Sequence, residues 1–443
     1  MQQVDAVRAE GGSGSHPAIL AGRRYRLYLT PAQDEKATRV AGCCRAVYNA
    51  ALEQRELAWR MRRQAVWGVQ QMAELPELKR SDGFEWLAED GIAQSLQQTL
   101  RDLDVAYRRW LRGEGGRPRF KRKAAGESFR LPQGRNLPIR KLNRRWAEVR
   151  LPKLGWCRFR LTRPIGGEIR HATVTRDPLG WHVSFCVALN QQPARANGGP
   201  PVGVDRGVAT TVALSTGELH SCPTLRGGQA ERLRKLCRKA GRQETLRRRR
   251  PNQQRRRSKR HQRTLDQLAG LRAREARIRY GWLHKLSTEL ATSHGMIAIE
   301  DLRVRNMTRS AKGTLAEPGV KVNAKTGLNR SVLAQGWGEL RRQLQYKTVW
   351  YGSQLAEVPA QHSSQTCSAC GVVHAESRES QARFLCIACG HAEHADVNAA
   401  RVILARAAQG HEDGGRTWPL QRGEPSRRWP GLRTANHPAG KAA

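Results

Sequence analysis

Residues 359–398, PAQHSSQTCSACGVVHAESRESQARFLCIACGHAEHADVNA, constrain this chain more than any other stretch. They hold two CxxC pairs, Cys367 with Cys370 and Cys386 with Cys389, and Asp396 follows closely. Four thiols in two close pairs make the ligand set of a tetrahedral structural zinc, because each CxxC turn aims both sulfurs at one ion. The stretch therefore reads as a zinc ribbon. Two further acids end or follow short apolar segments elsewhere, Asp205 in VGVDRGV and Glu300 in IAIEDL.

At 443 residues the chain is too long for a single core, and about two to four domains are expected. Its 79 Lys and Arg against 38 Asp and Glu leave a formal charge of +41. Self-repulsion of that size strains a compact fold unless a polyanion neutralises it. Nucleic acid is the expected partner, held by strongly salt-dependent contacts. Arg dominates the cations and grips phosphate bidentately, and exposed Trp offers a face for base stacking. Outside the ribbon, Cys43, Cys44, Cys157, Cys186, Cys222 and Cys237 lie scattered, several in apolar patterns. That spacing argues against a disulfide framework and for a reducing, intracellular setting. No apolar run approaches the ~18 residues of a membrane span and no signal-peptide core is present, so neither membrane insertion nor export is expected.

Residues 1–20, with GGSGSHP, read as a disordered leader, and Arg24–Leu29 alternate as a strand. Thr30, Pro31 and Gln33 spell a helix start with a capping box, and Ala37, Val40, Ala41, Cys44, Val47, Tyr48 and Leu52 continue at helical spacing toward residue 67. After the break PELKRSDG, a second helix carries Ile92, Leu96, Leu100, Leu103, Tyr107 and Trp110 on one stripe. Segments 127–131, 137–142, 146–151, 156–162, 168–175 and 181–189 read as short strands and predict a small antiparallel barrel with a basic face. QQPARANGGP, 191–200, is a linker. Strands at 202–206, 209–214 and 218–221 would begin a ribonuclease-H-like sheet. Residues 226–291 predict a basic antiparallel helix pair turning at Pro251-Asn252, too rich in Arg for solubility alone. MIAIEDL is a buried strand ending at Glu300, and 303–330 a polar loop. Ser331 is expected to cap a helix through Trp350, and 351–358 to form a strand leading into the ribbon. Asp396 opens a helix, where backbone N–H groups favour its carboxylate. The tail 410–443 reads as disordered.

Gathered at one edge, Asp205, Glu300 and Asp396 would form an oxygen-rich site for two hard divalent ions, suited to phosphodiester hydrolysis. Spacing alone does not assign them. The set CCRAVYNAAL, GRPRFKRK, RDPLGWHVSF, VGVDRGV, IAIEDLRVRNM, HSSQTCSACG…CIACG and HADVNAA resembles the transposon-associated TnpB proteins and their descendants, the miniature type V CRISPR effectors of compact Cas12 type. The likeness covers most of residues 24–405.

This resemblance implies a multidomain α+β fold. A wedge β-barrel (21–30 and 113–190) and a helical recognition domain (31–112) would precede a RuvC-like, ribonuclease-H-like α/β nuclease domain (201–358 and 392–409, with the basic arm 226–291). The zinc ribbon (359–391) would be inserted in the last. Asp205, Glu300 and Asp396 would be the RuvC catalytic acids holding Mg²⁺, and the four cysteines would hold structural Zn²⁺. Implied partners are a guide RNA and double-stranded DNA beside a short flanking motif, engaged in the bacterial cytoplasm by a monomer or by a homodimer on one RNA. Arg206 stands where the family usually has an aliphatic residue and is expected to touch DNA phosphate or to perturb metal binding. Further nucleic-acid contacts are expected at Lys121, Arg122, Lys123, Arg247, Arg248, Arg249, Arg250, Arg255, Arg256, Arg257, Lys259 and Arg260. His391 and His394 read first as satisfied surface histidines, the alternative being that they approach nucleic acid or the scissile site. Besides a guided endonuclease, two readings stay open: an RNA-guided DNA binder that silences without cutting, and a guide-free transposition accessory protein. The barrel region and the basic arm favour a compact CRISPR effector over a transposon-encoded protein.

Overall fold

The computed structural model describes residues 19–123, 126–189, 194–250, 256–314 and 316–412. Residues 1–18 of the expected leader, nearly all of the tail and the Pro251-Asn252 turn lie outside them, while Ile19 and Leu20, expected in the leader, begin the first strand. The chain divides into two compact units, Met1–Gln192 with Leu225–Arg277, and Pro193–Thr224 with Ile278–Ala443.

In the first unit, β1 (Ile19–Tyr28) leads into a 32-residue helix, α1 (Pro31–Arg62). Thr30 and Gln33 form the expected reciprocal cap at its start. The helix stops five residues short of the expected end, because Arg63 turns left-handed (φ 51°) and its N–H caps the last carbonyls. The stretch up to residue 92, beyond reach of the periodicity argument, holds two more helices, α2 (Gly68–Leu78) and α3 (Glu85–Asp90), with Pro76 inside α2. α4 (Ala93–Leu111) is the expected second helix. A buried Arg55 ties three helices together: it pairs with Asp104 of α4 at 2.6 Å and donates to Gln71 of α2 at 2.7 Å.

The strands β2 (Glu127–Leu131), β3 (Ile139–Lys141), β4 (Trp146–Leu151), β5 (Gly155–Arg160), β6 (Glu168–Asp177) and β7 (Gly180–Leu189) fall close to the expected positions. With β1 they form one antiparallel sheet in the order β2-β6-β7-β1-β5-β4-β3. β1 pairs with β7 through Arg26 and then with β5 at Leu27 and Tyr28, so one strand stitches two ladders. Tyr25, Phe159 and Phe185 fill the centre with ring centroids 5.3–5.9 Å apart. Two basic helices follow, α5 (Gly227–Arg249) and α6 (Lys259–Ser293), the unit boundary falling within α6.

The second unit is built on β8 (Val202–Asp205), β9 (Val212–Leu214), β10 (Leu219–His220), β11 (Met296–Glu300) and β12 (Gln354–Val358), ordered β10-β9-β8-β11-β12. β8, β11 and β12 run parallel, and β9 and β10 are antiparallel additions. Strand alternation sends Val202, Val204, Ile297, Ile299 and Leu355 to one face, against Leu283, Leu286 and Leu290 of α6. Ala298, Ala356 and Val358 face the other way, onto Ile403 and Ala407 of α10 (Ala395–Glu412). Between β11 and β12 lie a short α7 (Val304–Met307), α8 (Val322–Gln335) and α9 (Trp337–Tyr351). Ser331 does not cap a helix. It sits inside α8, and the break falls at Gly336, whose φ of 77° needs glycine. Among the described residues, no helix is long and apolar enough to cross a membrane.

Candidate active site and thiol centre

Asp205 ends β8 and Glu300 ends β11, two parallel neighbours in which Val204 and Ile299 are level, so both acids leave the sheet at the same edge. Asp396 is the second residue of α10, the helix that covers the sheet. Two glycines of VGVDRGV permit this approach. A Cβ on Gly203 would stand 2.0 Å from the Ala400 carbonyl oxygen of α10, and one on Gly207 would meet the Thr210 carbonyl at 2.5 Å and lie 3.8 Å from Asp396 Oδ2. A larger residue at Gly203 would push α10, and Asp396 with it, off the sheet, and one at Gly207 would displace the backbone at Thr210.

The three acids feel one another. Burial, then the charges of Glu300 and Asp396, push the Asp205 carboxyl up from its ordinary 3.8 to about 7, against the Arg206 amide and the Arg378 guanidinium. Each acid also has a keeper. The Arg206 N–H donates to Asp205 Oδ1 at 2.9 Å, and the buried Ser363 hydroxyl donates to Glu300 Oε1 at 2.5 Å. Arg378 Nη2 donates to Asp396 Oδ1 at 3.2 Å, while the Asp396 N–H donates to His394 Nδ1 at 3.2 Å.

Arg206 is not available to DNA. It is 4% exposed, and its guanidinium donates to the Glu300 backbone carbonyl, locking the ends of β8 and β11 together. The expectation of a phosphate contact at Arg206 is therefore corrected. A side chain directed inward from a strand end meets the adjacent strand, not solvent, and this burial lowers its pKa to about 10.

The four cysteines are brought together as expected. Their sulfurs all lie within 4.8 Å of one another, with Cys367 and Cys389 at 3.7 Å and Cys370 and Cys386 at 3.6 Å. A zinc with ~2.3 Å Zn–S bonds in tetrahedral geometry needs sulfurs about 3.8 Å apart. Both turns are built alike: Gly371 N–H reaches the Cys367 carbonyl at 3.0 Å and Gly390 N–H the Cys386 carbonyl at 2.9 Å, each glycine left-handed. The amides of Cys389 and Ala388 aim at the Cys386 sulfur and hold its thiol near 6, so thiolate, the form that binds metal, is favoured there. The donors fit zinc in number, chemistry and spacing.

The thiol centre also places an acid. β13 (Arg383–Leu385) pairs with β14 (Ala392–His394), which runs directly into α10 and Asp396. Phe384, wholly buried, packs with Cys367, Cys386 and Ala395. From α10, the fully buried Asn398 accepts from the Ser368 N–H at 2.9 Å and donates to the Thr366 carbonyl at 2.8 Å, clamping the first cysteine turn. Arg378, Ser363 and Asn398 escaped the sequence reading. Ser363 and Asn398 left a trace, inside HSSQTCSACG and HADVNAA, and Arg378 left none in the family motifs.

Of the expected nucleic-acid residues, Arg249, Arg250, Arg256, Arg257, Lys259 and Arg260 are exposed, as are Lys121, Arg122 and Lys123. Arg247 and Arg248 share Glu244 at 2.7 and 3.0 Å. Lys121 lies over the Tyr48 ring at 4.0 Å. Arg255 is outside the described residues. His391 sits 3.4 Å from Ser368 Oγ and 3.6 Å from Glu393.

Compared with known proteins, the chain is 36% identical over 383 residues to "Putative RNA-guided DNA endonuclease InsQ" of Escherichia coli strain K12, covering 86% of this chain and 91% of the relative. The chain belongs to the TnpB/IS605 transposase family. A family model described as "Probable transposase" matches residues 184–311, and one described as "Cas12f1-like, TNB domain" matches 337–403. A third, "Helix-turn-helix domain", matches 19–64, where this TnpB-family chain has a strand and one unbroken helix. A "Putative RNA-guided DNA endonuclease" of Streptomyces pristinaespiralis is 32% identical over 399 residues, 86% of this chain and 88% of the relative. The "CRISPR-associated endodeoxyribonuclease Cas12f1" of Sulfoacidibacillus thermotolerans is 39% identical over 71 residues, 16% of this chain and 17% of the relative.

Proposed function

We propose that the chain is an RNA-guided DNA endonuclease whose cutting site is formed by Asp205, Glu300 and Asp396. The observation that carries this reading is the convergence of β8, β11 and the start of α10, where burial, and after it the charges of Glu300 and Asp396, raises the Asp205 carboxyl to about 7. Clustered carboxylates repel one another until a cation joins them, which makes the cluster a receptor for hard divalent ions. Full-length relatives that carry the name RNA-guided DNA endonuclease support the same reading.

Magnesium held by the three acids would supply water activation and stabilisation of the departing oxygen. The protein's own part is electrostatic and positional. Arg378, beside Asp396, offsets negative charge building on the phosphate. Ser363 and Arg206 fix Glu300 from its side chain and its backbone, so the site is set before substrate arrives. Zinc on Cys367, Cys370, Cys386 and Cys389 is structural, since four thiolates leave no open position.

In this reading the second unit's sheet is the RuvC-like nuclease core, residues 359–391 the zinc ribbon, α1–α4 the recognition helices and the β1–β7 sheet the wedge. Guide and target would be read by base pairing, and the protein would sense duplex shape and a flanking motif. The decisive experiment purifies the chain with its RNA and adds Mg²⁺ and matched double-stranded DNA, beside Asp205→Ala. Product from wild type alone is expected. A wild-type complex that binds the DNA but yields no metal-dependent product would reduce the function to guided binding.

A further inference from the structure

A cavity of about 540 Å³ opens in the first unit between α1, α3 and the segment before β2, lined by Arg39, Gly42, Arg45, Trp86, Asp90 and Lys123 among others. Its charge is lopsided. Asp90 is already taken by Lys36 at 2.6 Å and lies 3.7 Å from Arg39, which leaves Arg45 and Lys123 as surplus cations. Arg45 Nη1 is buried and has no hydrogen-bond partner. A buried guanidinium N–H without an acceptor is costly, and such a group asks for an anion supplied from outside.

Two further features shape the cavity. Gly42 sits in the interior of α1, where glycine weakens a helix, and a Cβ there would stand 3.8 Å from Arg45 Nη2. That is ordinary van der Waals contact, and it places the Arg45 guanidinium along this wall of the cavity. Trp86 is 37% exposed and pinned, its indole N–H donating to the Gly83 carbonyl at 2.9 Å, so its ring is a fixed surface at the mouth. A volume of this size lies in the range of small-ligand sites.

We propose that this cavity takes one nucleotide of an unpaired polynucleotide strand, with its phosphate on Arg45 and Lys123 and its base against Trp86. Arginine supplies a fork for phosphate oxygens, lysine a point charge, and an exposed indole a face that any base can stack on. The site rests on the reading above that the chain works with nucleic acid. It is distinct from the carboxylate cluster, which contains none of these residues.

The test compares wild type with Lys123→Gln, Arg45→Gln and Trp86→Leu, each loaded with co-purified RNA and then with target DNA. Ultraviolet cross-linking with mass spectrometry reads which strand touches the cavity. Affinity against salt concentration reads the phosphate contacts. A nucleotide adduct is expected on the peptide holding Trp86, on RNA if the guide is the source and on DNA if the target is. Each charge variant should lower the slope of log affinity against log salt by about 0.7, the single-strand value per phosphate. Trp86→Leu should weaken binding about tenfold at unchanged slope. Lys123 is exposed, so its variant folds whatever becomes of Arg45. Wild-type binding with no adduct at the cavity, and unaltered slopes in both charge variants, would overturn the site while leaving guided recognition standing. A chain that binds no polynucleotide at all would overturn both.

Discussion

Among single residues, Asp205 titrates where the reaction would run. Its carboxyl rises from 3.8 to about 7 in the folded chain, chiefly through burial and then through Glu300 and Asp396. The folded state therefore keeps a proton that the unfolded state releases between about pH 4 and 7. Where the folded state binds more protons, stability falls as pH rises. Magnesium-free, zinc-loaded protein should thus lose on the order of 2–4 kcal/mol between pH 4 and pH 8 relative to Asp205→Asn, and Mg²⁺ at pH 8 should restore it. Melting curves at the two pH values check this, and parallel curves for the two proteins would contradict it. Arg378 makes a second test. Arg378→Ala should cut the cleavage rate about 100-fold, the scale for losing one group aimed at developing charge, while RNA and DNA binding persist. The three acids could be singled out only through the motifs VGVDRGV, IAIEDL and HADVNAA that carry the family resemblance, because an acid at a strand end is ordinary by itself. Arg378 could not, because its role depends on the ribbon folding back 18 positions to meet Asp396.

At the level of elements, the ribbon and α10 behave as one part. β14 passes without a loop into the helix, and Asn398 ties the helix back to the first cysteine turn. Cys367→Ala should therefore lose zinc and nuclease activity together, and retained activity in zinc-free protein would refute the coupling. Asn398→Ala keeps all four thiols but strands the buried Thr366 carbonyl, at about 1–3 kcal/mol, and the half-buried Ser368 N–H at less. It should retain zinc by metal analysis and still lose much of its cleavage, because Asp396 is no longer held. The sequence pattern anticipated every strand from β1 to β12, since alternation and turn residues are local signals. It missed α2 and α3, which are short. It also misplaced the break between α8 and α9, which depends on contact with another helix. At Gly336, a Cβ would stand 2.9 Å from Leu283 Cδ1 of α6, a contact that no window around Ser331 can show.

For the whole molecule, the charge of +41 is the dominant fact, and it is unevenly available. Arg206 is engaged beside the carboxylate cluster, and Arg247 and Arg248 share Glu244. Arg256, Arg257, Lys259 and Arg260 are exposed at the start of α6 and have no acid within their own run. If polyanion binding offsets the chain's self-repulsion, these four should carry more of it than the equally basic end of α5. Each phosphate neutralised on single-stranded RNA contributes about 0.7 to the slope of log affinity against log salt. Changing all four to Gln should flatten the slope for guide RNA by about 2 to 3, whereas Arg247→Gln with Arg248→Gln should flatten it by less than about 1.4. Cleavage by complexes already loaded with RNA should be little changed, because none of these side chains belongs to the carboxylate cluster. An equal loss of slope in both variants would mean that pairing with Glu244 withholds nothing from the RNA.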